Sequence, residues 1–111
     1  MDAAERDELL NLCEEVQEHT EGNIPYLHLR RLNLPANCQP EVLDALLCLG
    51  LREGYPTRLF VSEAITSPSS KAQNWGTFTI LSRSWHSWSW NYVPATQRPA
   101  EVLAAHLKAF V

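Results

Sequence analysis

The chain has 111 residues, 45% of them hydrophobic and 20% charged, and a formal net charge of −4. That size and balance predict one globular domain, residues 1–111, burying roughly two-thirds of its unfolded surface, and exclude a low-complexity or collagen-like chain. The acidic total argues against nucleic acid as a partner, and no apolar run approaches the ~20 residues of a membrane-spanning helix.

Asp2 to Thr20 is predicted as an amphipathic helix inside an acidic N-terminal element, residues 1–22. Leu9, Leu12, Cys13 and Val16 recur at three- and four-residue steps, Asp2 can cap the start and Gly22 can end it. Residues 1–21 carry eight acids against Arg6 alone, a net of −7, while the rest of the chain sums to +3. Glu14, Glu15 and Glu18 lie on the outer face of that helix, which reads as a solvated surface or as a docking surface for a basic protein. The charged first residues are unlike a signal peptide. Cys13, Cys38 and Cys48 are widely spaced, with no Cys-x-x-Cys, which predicts reduced thiols and a cytoplasmic location.

Ile24 to Leu34 is predicted as a strand whose alternation breaks at Arg30-Arg31, the mark of a bulge or a strand end. His28 has no second metal-type residue at a useful spacing, and no metal or cofactor is predicted. Val42 to Gly50 is ambiguous. Its Leu and Ala favour a short helix, whereas its almost unbroken apolar run also fits a buried strand. A turn through Gly54-Tyr55-Pro56 leads to a strand over Thr57 to Ser62, then a polar loop from Ala64 to Asn74.

Trp75 to Asn91 holds all four tryptophans. Trp75 to Leu81 alternates as a strand. If extension continues, His86, Trp88 and Trp90 share one face, and Trp85, Ser87 and Ser89 the other. Such a cluster is either the packing knot of the domain or a recognition surface for carbohydrate or peptide. Pro99 begins a last helix with an apolar stripe of Val102, Leu103, His106, Leu107 and Phe110.

An apolar run into Gly54-Tyr55-Pro56, then Trp75, Ser82-Arg83-Ser84-Trp85-His86, Trp88 to Trp90 and the Pro94 loop occur here in that order. Over residues 24–111 this resembles the small bacterial ubiquitin-conjugating (E2/UBC-like) proteins that accompany ThiF-type E1 proteins and ubiquitin-like proteins. The resemblance implies an α+β fold with an N-terminal helix, an antiparallel sheet of about four strands in sequence order and a C-terminal helix. It also makes Val42 to Leu49 a strand. The implied partners are a ThiF-type E1, a ubiquitin-like protein and a second, catalytic E2.

The sequence departs from that family where the chemistry lies. There is no cysteine after Cys48 and no His-Pro-Asn motif, and Thr57-Arg58 replaces the usual double proline. The resemblance therefore implies a non-catalytic adaptor in a ubiquitin-like modification pathway, with Arg83, Trp85, Trp88, Trp90 and Asn91 beside Glu14, Glu15 and Glu18 as candidate binding residues. The alternative is an acyl carrier using Ser84, His86 or Ser87, where an imidazole beside a hydroxyl supplies the base that a serine nucleophile needs.

Overall fold

At the N-terminus the Asp2 carboxylate accepts from the Glu5 N–H at 2.8 Å, and Glu5 accepts from the Asp2 N–H at 3.0 Å. This capping box starts helix α1 (Ala3–Leu10), which ends well short of the predicted Thr20. In the computed structural model, which describes residues 1–111, the acidic stretch that follows is instead strand β1 (Glu15–Glu21).

The physical reason lies in the charges. In a helix, Glu14 and Glu18 would repel at i,i+4 and crowd its negative dipole end. In the sheet, Glu14 meets Arg31 at 3.0 Å and Glu15 meets Arg30 at 3.7 Å. Gly22 and Asn23, with φ of 57° and 64°, form a two-residue hairpin turn rather than a helix stop. The chain returns as β2 (Ile24–Asn33).

Strands β3 (Val42–Cys48), β4 (Arg58–Val61), β5 (Gln73–Ile80) and β6 (Arg83–Ser89) follow, then helix α2 (Pro99–Leu107) and a 3₁₀ turn over Lys108–Phe110. All strands form one antiparallel sheet in the order β1-β2-β3-β4-β6-β5. With 42% of residues in strand and 18% in helix, the molecule is mainly β. This corrects the expected α+β, E2/UBC-like architecture: there are six strands instead of about four, and the long N-terminal helix is absent. No helix is long and apolar enough to cross a membrane.

Val42 to Cys48 is a strand because it runs through the middle of the sheet and is covered on both faces, which favours an apolar run, broken here only by Asp44, whatever its helix propensity. Leu43, Ala45 and Leu47 join the larger core with Leu9, Leu29, Leu32, Trp88, Leu103 and Phe110. Leu46 and Cys48 face the other way and join a smaller core with Tyr26, Phe60, Ile80 and Trp85. A bulge at Arg31 (φ 53°) shifts the register between Leu29 and Leu32, so both leucines reach the larger core.

Candidate functional site

The backbone ladder is sparsest between β4 and β6, which share a single register pair, Val61↔His86. Side chains replace the missing ladder there. The Ser87 hydroxyl donates to the Leu59 carbonyl at 2.7 Å, and Arg58 donates to Ser87 Oγ at 3.0 Å and to the Trp88 carbonyl at 3.2 Å. Arg58 is buried without a carboxylate partner; its guanidinium lies 4.2 Å from the Tyr55 ring centroid and 4.7 Å from that of Phe78.

The smaller-core face is concave, since the two ends of the sheet meet across it. The β5–β6 hairpin tip reaches across it, and the Leu81 N–H donates to Glu21 Oε2 on β1 at 3.0 Å. Leu81 and Ser82 hold φ of 54° and 61° in this turn, a conformation that costs a non-glycine residue energy. Leu81 is thereby aimed at a cup of about 200 Å³, also lined by Gln17, His19, His28, Leu46, Arg83 and Trp85.

Leu46 and Trp85 make the apolar floor of the cup. Arg83 lies 4.5 Å from the Trp85 ring centroid and donates to Asp44 Oδ2 at 3.3 Å. Asp44 also accepts from the Arg31 N–H at 3.0 Å. Burial pushes the Asp44 carboxyl up, but these two donors outweigh it and hold the group below the usual carboxylate range. His28 Nε2 sits 3.7 Å from Asp44 Oδ2, too far for a hydrogen bond. Burial lowers the His28 pKa; Asp44 opposes that, while Arg83 and His19 add to it. The pair is therefore a neutral imidazole beside an ionised carboxylate. Asp44→Asn removes the opposing charge, so an NMR titration should find the His28 pKa lower still; an unchanged or raised value would contradict this geometry.

The sequence candidates divide. Arg83 and Trp85 line the cup. Trp88 is in the larger core, its ring tilted against Trp75 at 5.1 Å and edge-on to Phe110 at 4.8 Å. Trp90 is half-buried and donates its indole N–H to Ala105 O at 3.0 Å, and the Asn91 side chain accepts from the Tyr92 N–H at 2.7 Å. None of the four tryptophans is exposed, so no flat carbohydrate- or peptide-binding platform forms. Glu14, Glu15 and Glu18 stand on or beside β1, not on a helix, and each is ion-paired, Glu18 with Arg6 at 3.3 Å.

The hydroxyl and imidazole candidates do not assemble. Ser87 is fully buried and occupied by Leu59 and Arg58. Ser84 and His86 alternate onto the opposite face of β6, where no hydrogen bond joins them. All three cysteines are buried, and burial raises each thiol pKa. No three His, Cys, Asp or Glu side chains converge as a metal site.

Gln17, His19, His28, Leu46 and Leu81 are the cup residues that sequence reasoning missed, as it missed Asp44 beside them. The one available signal was Asp44, a lone charge inside an apolar run. A larger hollow of about 660 Å³ lies between residues 36–37, 68–71 and the C-terminus, but its one charged side chain, Lys71, already donates to the Val111 carbonyl at 2.7 Å. The cup collects more recognition chemistry. No protein-family model, curated protein or solved structure matches this chain.

Proposed function

We propose that the protein is a non-catalytic binding subunit whose concave face receives an apolar side chain from an extended segment of a protein partner. One observation carries this reading: the concave face gathers an apolar floor, a half-exposed guanidinium and two imidazoles, while each candidate nucleophile lacks an adjacent base. Leu81 supplies apolar contact beside the closed floor of Trp85 and Leu46, Arg83 can donate to a partner's backbone carbonyl, and Gln17 can both donate and accept.

The partner class rests on the sequence resemblance, which points to a bacterial ubiquitin-like modification pathway and to a ThiF-type E1, the ubiquitin-like protein or a catalytic E2. Tyr55, Arg83 and Trp85, all from the resembling segments, lie on the concave side, which supports a binding role for those segments.

The test mixes the purified chain with the E1 and ubiquitin-like protein of its host and with ATP, followed by size exclusion and intact mass. Co-elution without a covalent adduct is expected, together with at least a tenfold loss of affinity on Arg83→Ala, a half-exposed position outside both cores. A hydroxylamine-sensitive adduct that disappears in Ser84→Ala would instead establish the acyl-carrier reading.

A further inference from the structure

The two edges of the sheet are chemically unlike. β1 carries Glu15, Glu18 and Glu21, and charges of this kind on an exposed edge discourage pairing with another strand. β5 reads Gln-Asn-Trp-Gly-Thr-Phe-Thr-Ile, with no charged residue and no proline, and β6 is its only neighbour. Its outer backbone groups are therefore available to another strand.

We propose that β5 pairs antiparallel with β5 of a second copy of this chain, across a two-fold axis through Thr77. Two-fold pairing requires partner numbers whose sum is even, so the axis passes through a residue. Asn74, at φ 57° beside a register irregularity, ends the regular run on one side, and the Leu81-Ser82 turn ends it on the other. An axis at Thr77 uses the extended segment between them fully, pairing Trp75 with Thr79 and Gly76 with Phe78.

Thr77 faces its own copy and an aromatic ring faces a β-branched residue twice, while the Phe78 ring lies over Gly76 of its own strand and leaves no clash at the Gly76–Phe78 pairs. An axis at Gly76 would set glycine against glycine at the centre and forfeit these contacts.

Charge selects the same occupant. A self-partner meets no like charge along β5. A charged partner tail would find no counter-charge on this strand. Because the axis is perpendicular to the sheet, both concave faces lie on one side of the twelve-stranded assembly. The inference stands on the edge alone and does not depend on which protein the cup receives.

Sedimentation equilibrium and native mass spectrometry of the full chain, from about 10 μM to about 1 mM, test it. The expected result is a mass rising from monomer towards dimer, with amide exchange at alternate residues of 75–79 slowing as concentration rises. Thr77 is exposed, so Thr77→Lys should leave the fold intact by circular dichroism while opposing two ammonium groups at the axis and weakening association at least tenfold. Thr20→Lys on the β1 edge should leave association unchanged. A wild-type chain that stays monomeric throughout, or a dimer lost in Thr20→Lys but kept in Thr77→Lys, overturns the proposal.

Discussion

Trp88→Ala is expected to remove about 3–5 kcal/mol of stability, the usual cost of deleting a large aromatic ring from a packed core. That is a large share of the roughly 5–15 kcal/mol available to a domain. Trp88 is 1% exposed, and its ring contacts Trp75 and Phe110 at the junction of β6, β5 and the C-terminal turn. Its indole N–H has no partner. Trp88→Phe should therefore cost much less than Trp88→Ala, because it discards a buried unpaired donor with part of the ring. Trp90→Ala should also cost less, since that ring is half-buried and loses chiefly its bond to Ala105. Urea unfolding of the three variants, each with an unchanged m-value, checks the order. A Trp90→Ala cost equal to that of Trp88→Ala would refute the assignment of Trp88 to the core.

Acid should destabilise the fold through His106. This residue is 1% exposed, its Nε2 lies 2.9 Å from Thr57 Oγ1, and the Thr57 hydroxyl donates to the Val93 carbonyl at 2.8 Å. With that proton committed, Nε2 must carry a hydrogen and donate to Oγ1, leaving Nδ1 buried and unpaired. Burial, reinforced by the Arg58 charge, lowers the His106 pKa from 6.5 to about 4. The native state therefore binds fewer protons than the unfolded chain between those values. Stability contributed by the neutral ring is complete above pH 6.5 and declines as pH falls towards 4, by about 3 kcal/mol in all. His28, also lowered, adds to the slope, whereas Asp44 loses its contribution only below the ordinary carboxylate pKa. His106→Gln keeps a donor for Thr57 without a titrating ring and should flatten most of the slope. An unfolding free energy with the same pH dependence in His106→Gln would remove His106 as the cause.

How much of this could be read from the sequence depends on whether the information was local. Helix α2 was legible because Pro99 fixes its first turn and Val102, Leu103 and His106 repeat on one side. Trp88, open in sequence between a packing and a binding role, proves to be a core residue, which size alone could not decide because the equally large Trp75 and Trp90 are only half-buried. β1 was misread because Leu9, Leu12, Cys13 and Val16 satisfy a helical period, although Gly22-Asn23 between two alternating segments was a hairpin signal. Of the cup, only Arg83 and Trp85 were legible. Gln17 and His19 come from β1, His28 from β2, Leu46 from β3 and Arg83 and Trp85 from β6, and only the curl of the sheet brings them together.

The joint between β4 and β6 divides the sheet into two units of different cooperativity. Within β1 to β4, and within β5–β6, strands are held by backbone ladders, which persist through most side-chain changes. Between the units, one register pair and the side chains of Arg58 and Ser87 make the connection. Local opening follows the weakest set of hydrogen bonds, so the β5–β6 hairpin can separate as a unit at lower free energy than global unfolding. Its anchors are then Trp88 in one core, Trp85 in the other and the Leu81–Glu21 bond at the far tip. Such a joint ties the curvature of the concave face to two buried side chains, Arg58 and Ser87, so that a change at either would alter it.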